Sequence, residues 1–389
     1  MGDNCSVSST PTPMSEKNNL GDYNVNNRYN SVMSNKSNKG SSNNNMIIIK
    51  KKEDFKEIYK IKGGGEILYF RKSSKNNYLY CLSNNRVFEI YKLDNKTKNQ
   101  FNLIKEITPK CKFLFLKKTK NKNLIFRPRF IFCEFNENTF ICCRTMDKTL
   151  RIFNYSDEII ENSFVLKSYT TCILSTIDNE FITGHDNGRM VKWRYDFSEK
   201  NKKVHLEILS LLKTNKNSVT SLTYNEKLNI IISSDFNTII IRKYFDFEYL
   251  ISIDIKNTEN LKKSIVEVKI SDYNFLYALI YIEETGSYEL QGFTMNGTYF
   301  GKYNGNISSF QISQTGKIII GDMNQSVIKI LDPTNLTEIY VKNFFIKGEN
   351  IFYQFYFERP NVIYMGVKDN DSTRIKVLFL DSDDEKHFM

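Results

Sequence analysis

Arg189-Met190-Val191-Lys192-Trp193 is a short strand phrase: apolar side chains set among cations, a polar turn (Asp186-Asn187-Gly188) in front, an aromatic ring at the end. The phrase returns in other spellings six more times. It reads RVFEIYKLD around Tyr91, KTLRIFN at Phe153, NTIIIRK at Ile241, YELQGF at Phe293, SVIKILD at Leu331 and RIKVLFLD at Leu378. Five of the six spacings between these anchors fall at about 38 to 52 residues and the first is about 62. Runs of this length, rich in Ile, Val, Phe and Tyr and bounded by polar turns, read as strands. Three further strand phrases accompany each anchor but the last, as in SVTSLTY, NIIISS and YLISIDI beside TIIIRKY at Ile241. A period near 40 to 50 residues with four strands per unit signals a propeller rather than a sandwich.

Counting outward gives six complete four-strand units and a seventh with three strands: IFYQFYF, NVIYMGV and RIKVLFL. An unmatched phrase, FKEIYKI (Phe55 to Ile61), precedes the first unit. Pairing it with the last strand, Arg374 to Leu380, completes the seventh unit and leaves no open sheet edge. The expected fold is therefore all-β, a seven-bladed β-propeller closed by an N-terminal strand. Residues 46–382 form the propeller in this reading. Residues 1–45 are dominated by Asn and Ser, bury too little apolar surface to offset their ordering entropy, and are expected to be disordered. Residues 383–389 are a short acidic tail. Gly and Pro are scarce for so many turns (17 and 6), and Asn and Lys take their place; Asn tolerates a left-handed backbone, so the exchange is physically sound.

The motifs TMDKTLRIFN and TGHDNGRMVKW resemble those of WD-repeat proteins: an acid or Asn in the second turn, apolar residues after it, then an aromatic, with Asp147 six positions before Phe153. In that family the turn acid accepts hydrogen bonds that tie the second and third strands together. The resemblance implies a propeller that binds other proteins. The chain departs from the pattern in having one Trp and no Gly-His pair at the start of its repeats. Gly184-His185 falls in a different loop, so the family's His-to-Asp network is expected to be mostly absent. Within the family, FICCRTMDKTLRIF and SVTSLTYNEKLNIIISSDFNTIIIRKYFDFEYL are similar to the WD-repeat tail of BEACH-domain proteins, large scaffolds of membrane trafficking. That likeness covers about the middle third of the chain, which reads as a free-standing relative or as part of a longer protein.

The formal charge of +11 invites a nucleic-acid reading. Lys and Asn run through loops and tail alike, however, as a compositional bias would produce, and nucleic acid is set aside as a partner. Seven Cys show no metal spacing, and Cys133, Cys142, Cys143 and Cys172 sit in apolar phrases as expected reduced thiols. No leader is visible and no apolar run approaches the ~18 residues of a membrane span, so a cytoplasmic setting is expected, with the membrane periphery as its alternative.

Catalysis finds little footing. His185, His205 and His387 are the three imidazoles, and nothing in the sequence places them together. Gly63-Gly64-Gly65 precedes a strand and lacks the Lys-Ser/Thr of a phosphate loop. No catalytic residue, metal site or cofactor is expected.

Binding features are more numerous. Residues 109–129 form a basic insertion between the first and second units and explain the one long spacing. They carry Lys117, Lys118, Lys120, Lys122, Arg127 and Arg129 among interleaved Phe residues. Asp147, Asn187 and Asp235 occupy equivalent second turns of three consecutive units, which in a propeller share one rim with the loops entering each first strand. Two readings stand side by side: this rim, with the insertion projecting from it, is a partner-binding surface, or the turn residues only stabilise their own turns. Met1-Gly2-Asp3-Asn4-Cys5-Ser6 fits an acylation pattern, with myristate on Gly2 and palmitate on Cys5, although the Asp3 carboxylate opposes it. Thr10 and Thr12, each before a Pro, and Ser382 in its acidic setting are weak phosphorylation patterns. The combined expectation is a non-enzymatic protein-interaction scaffold. Its alternatives are a membrane-associated trafficking scaffold of the BEACH type and a nucleic-acid-associated WD-repeat subunit.

Overall fold

A computed structural model describes residues 56–379, apart from 60–66, 73–77, 84–87, 94–100, 108–129, 137–138, 145–147, 155–159, 178, 199, 214, 256–260, 314, 323–326, 343–349, 360–361 and 369–372. Among the described residues there are 28 strands and no helix. The chain begins with β1 (Lys56–Tyr59). A first sheet follows: β2 (Ile67–Lys72), β3 (Tyr78–Ser83), β4 (Phe88–Leu93) and β5 (Phe101–Ile107). The second holds β6 (Phe130–Asn136), β7 (Thr139–Arg144), β8 (Thr149–Asn154) and β9 (Ile160–Val165). The third holds β10 (Thr170–Ser175), β11 (Glu180–His185), β12 (Arg189–Ser198) and β13 (Lys203–Lys213). The fourth holds β14 (Ser221–Asn225), β15 (Ile230–Ser234), β16 (Thr238–Lys243) and β17 (Tyr249–Asp254). The fifth holds β18 (Lys263–Ile270), β19 (Phe275–Ile282), β20 (Ser287–Thr294) and β21 (Tyr299–Gly305). The sixth holds β22 (Ile307–Ile312), β23 (Ile318–Asp322), β24 (Val327–Leu331) and β25 (Glu338–Lys342). Last come β26 (Asn350–Arg359), β27 (Val362–Lys368) and β28 (Thr373–Phe379).

Each of these six sheets is an antiparallel meander in chain order, and the remaining sheet runs β1-β28-β27-β26. In that sheet Lys56 stands opposite Val377 and Tyr59 opposite Ile375. First strands of neighbouring sheets lie side by side: β6 with β10, β10 with β14, β14 with β18, β22 with β26, and β26 with β2.

The burial pattern follows from sheets stacked face to face. Second and third strands such as β15, β19, β23 and β24 are buried on both faces, so apolar residues dominate them. On β19, Leu276, Ala278 and Ile280 pack with the fourth sheet's Ile230, Ile232, Ile239 and Ile241, while Tyr277 and Leu279 pack with the sixth sheet's Ile307, Phe310, Ile318 and Ile320. On β11, Phe181 joins the second sheet's Leu150 and Ile152, and its neighbour Ile182 joins the fourth sheet's Ile231. Fourth strands border solvent, so β17 and β25 alternate or are largely exposed. Burying one such Ile or Leu contributes about 1.5–3 kcal/mol, and the stacked faces hold the core together.

The first turns are the places where Asn replaces Gly. Asn179, Asn229 and Asn274 have φ of 57°, 52° and 67° in the β10–β11, β14–β15 and β18–β19 turns, and Gly316 (φ 86°) holds the matching place between β22 and β23. Among the thiols expected to be buried, Cys133 is buried and reduced, whereas Cys172, also reduced, is only half-buried on the first strand β10. The side chains of Cys142 and Cys143 lie outside the described residues.

Candidate functional site

The turns joining second to third strands share a rim with the loops that enter each first strand, and they are bonded to those loops. In the third sheet Asp186 and Tyr169 exchange bonds: the Asp186 N–H donates to the Tyr169 carbonyl (3.0 Å), and Tyr169 N–H donates to Asp186 Oδ1 (3.1 Å). Asn187 Oδ1 accepts from the Arg189 N–H (3.2 Å) and tightens the same turn. Gly188 accepts at its carbonyl from Asn215 N–H (3.1 Å), and Val219 N–H donates to the His185 carbonyl (3.0 Å). The loop after β13 thus lies directly on this turn. Gly188 has φ +78°, and a Cβ there would meet Asn215 O at 2.1 Å, so both the backbone angle and the close approach require glycine.

Asp235 shows why an acid sits in the next turn. Its Oδ1 accepts from the N–H groups of Asn237 (2.9 Å) and Thr238 (2.8 Å), and its Oδ2 from both the backbone and side-chain N–H of Asn217 (3.4 Å each). The carboxylate is buried and ties its turn to the loop entering the fourth sheet. What faces solvent there is Phe236, whose carbonyl is held by Ile265 N–H of the fifth sheet (2.8 Å). Asn187 and Asp235 therefore lie on one continuous rim, Asn187 exposed and Asp235 engaged with backbone. Asp147 and the insertion residues Lys117, Lys118, Lys120, Lys122, Arg127 and Arg129 lie outside the described residues, as do Gly2, Cys5, Thr10, Thr12 and Ser382.

Beneath this rim the third sheet carries a hydrogen-bond chain that the sequence reading did not foresee. Trp193 Nε1–H donates to Thr183 Oγ1 (2.8 Å), and the Thr183 hydroxyl is hydrogen-bonded to His185 Nε2 (2.9 Å). The imidazole comes from two residues along the same strand as Thr183 rather than from the preceding loop. Gly184-His185 stands in a different place from the family's pair, yet its histidine still joins a Trp–Thr–His chain. Burial, with a smaller contribution from the Arg189 charge, pushes the His185 pKa down to about 4 against the pull of the Tyr169 and Ser168 backbone.

The opposite rim is braced differently. Tyr244, in the β16–β17 turn, reaches the third sheet, where its hydroxyl donates to Glu180 Oε2 (2.8 Å) and meets Thr176 Oγ1 (2.6 Å). Lys192 Nζ bonds the same Glu180 oxygen (2.9 Å) and lies 3.9 Å from the Tyr244 ring centre. Burial alone would raise Glu180, but the hydrogen bonds of Lys192 and Tyr244, with the charges of Lys192 and Arg194, hold it below its ordinary value.

No protein-family model matches the chain, and no curated protein matches it in sequence. The likeness to BEACH-domain tails therefore rests on the quoted phrases alone. Solved structures do match. The WD40 β-propeller domain of Doa1 superposes with a TM-score of 0.56 at 11% identity, covering 85% of this chain and 98% of that one. KlHsv2, with loop 6CD replaced by a Gly-Ser linker, superposes with a TM-score of 0.53 at 11% identity, covering 83% and 95%. With its all-β antiparallel four-stranded sheets, the chain has the fold of a WD40 β-propeller.

Proposed function

We propose that the chain is a non-enzymatic protein-interaction platform, a closed ring of seven blades whose working surface is the rim built by the second turns and first-strand entry loops. The observation that supports this reading is the bonding of that rim. Asp186, Gly188 and Asp235 lock successive turns onto the adjoining loops, and Phe236 and Tyr169 stand partly exposed between them. A surface ordered before binding avoids the entropy cost of ordering loops on contact. The basic insertion with Lys117, Lys118 and Lys120 enters the second blade and belongs, in this proposal, to the same rim. The cytoplasmic setting is part of the proposal.

Proximity labelling in cells followed by affinity capture tests it. Charge reversal at Lys117, Lys118 and Lys120 should reduce the captured set, and an unchanged set would exclude that face. The membrane-tethered alternative draws on Met1-Gly2-Asp3-Asn4-Cys5-Ser6. Metabolic labelling with a myristate analogue decides it: label on the wild type that Gly2→Ala abolishes supports the tether, and an unlabelled wild type ends it.

A further inference from the structure

We propose that the rim over the second and third sheets binds an acidic peptide segment of a partner protein. Arg189 and Lys213 would bracket its carboxylates, and Leu211 would support an apolar side chain. The proposal rests on the platform reading and gives that platform a partner chemistry.

Strand register carries the argument. Arg189 stands directly opposite Lys213, and Val191 opposite Leu211, across the β12–β13 pair. Alternate residues share a face, so these four side chains project together. Val191 packs in the cluster that joins the second and third sheets, so this face turns toward the second sheet. Leu211 is 43% exposed, and Arg189 and Lys213 are both exposed. Like charges directly opposite on a sheet repel each other. Among the described residues no carboxylate forms an ion pair with either cation.

The neighbourhood adds to the imbalance. Lys216 is exposed in the loop that rests on Gly188, and Lys148 reaches across from the second sheet to lie 5.3 Å from the Tyr169 ring centre. Among the described residues the acid in this group is Asp186, and its Oδ1 accepts from Tyr169 N–H. Some exposed cations elsewhere do find acids, as in Lys227–Asp272 (2.8 Å) and Arg194–Glu207 (3.4 Å). The excess charge at this rim thus comes from two cations that strand register fixes directly opposite each other.

The mixture selects the ligand. Single-stranded nucleic acid needs aromatic faces on which bases stack; here the exposed ring is Tyr169, with Lys148 over it, and Leu211 offers no such face. A lipid surface needs broader apolar insertion than one leucine. A short chain of carboxylates around one apolar side chain matches a single apolar shelf between cations.

The test uses the full chain and fluorescence anisotropy. Probes are labelled short peptides with Glu and Asp around a central Leu or Phe, the same peptides with Lys in place of the acids, phosphatidylserine vesicles and a single-stranded oligonucleotide. The acidic peptides should bind, more weakly as salt rises, and R189E/K213E should weaken them by about tenfold or more, about 1.4 kcal/mol. The alanine pair R189A/K213A separates binding from folding. It removes a repulsion, so it should melt no lower than wild type while still losing peptide affinity. Equal binding of acidic and basic peptides, unchanged affinity in both double variants, or preference for vesicles or oligonucleotide overturns the proposal. Proximity labelling of wild type and R189E/K213E runs in parallel. A wild type that labels no reproducible partner set defeats the platform reading itself, whereas an identical set in the variant defeats only the assignment of this rim.

Discussion

At the scale of single residues, His185 makes folding pH-dependent. Its pKa is about 4 in the fold and about 6.5 when unfolded. The unfolded chain therefore binds the extra proton between these values, and stability falls as pH drops through that window. A shift of this size corresponds to about 3 kcal/mol, fully present above pH 6.5 and lost by pH 4. Urea midpoints measured from pH 7 to pH 4 should show this loss, and His185→Gln should flatten it. Carboxylates such as Glu180, held low, contribute their own loss at more acidic pH, so the comparison between variant and wild type is the informative quantity. Gly188 gives a second test. Gly188→Ala forces a side chain into a left-handed backbone and against Asn215 O, and should lower stability by about 2–4 kcal/mol in denaturant titration. Neither effect could be read from the sequence. His185 is two residues from Thr183, but only the pleat shows that both face Trp193.

At the scale of elements, the strands were legible because burial on one or both faces leaves a direct mark on composition. Third-strand phrases such as RMVKW and NTIIIRK fall within β12 and at β16. What the sequence did not show was the fourth-strand register. The β12–β13 ladder slips at Lys192/Trp193, so the pairing of Arg189 with Lys213 cannot be counted from a turn. The turns between third and fourth strands were also opaque. Phe247 and Leu336 have φ of 58° and 60°, a conformation that bulky residues rarely adopt. Both are buried against the sheet before their own, Phe247 with Ile182 and Met190, Leu336 with Tyr277 and Leu279. Burial offsets the strain. Phe247→Gly should therefore destabilise despite relaxing the backbone, by about 2–4 kcal/mol, because the lost ring outweighs the relieved angle. In the first turns the order reverses: Asn229→Gly and Asn274→Gly should be neutral within about 0.5 kcal/mol, since no buried side chain is lost. Thermal melts of the three variants check the contrast.

At the scale of the whole molecule, the last sheet joins the two ends of the described chain. β1 lies on β28, and β26 lies beside β2 of the first sheet. If this pairing closes the ring, deleting residues 46–61 exposes the edge of β28, and the truncated protein should become insoluble or lose much of its stability; a soluble, equally stable truncation would speak against closure. The repeat spacing carried this level of organisation, because one unit cannot bury both of its faces alone. The rim's chemistry was only half legible. The second-turn positions of Asp235 and Asn187 follow from the repeat, while the loop carrying Lys216 meets the Gly188 turn through contacts that no local pattern encodes.

The interaction rim is tested most directly by proximity labelling of three full-length proteins: wild type, a variant with Lys117, Lys118 and Lys120 reversed to Glu, and a variant of the opposite rim, Phe245→Asp, whose ring is 68% exposed. The expected result is a partner set lost in the first variant and retained in the second. Partners kept by the charge reversal and lost with Phe245→Asp would contradict it and move the working surface to the other rim.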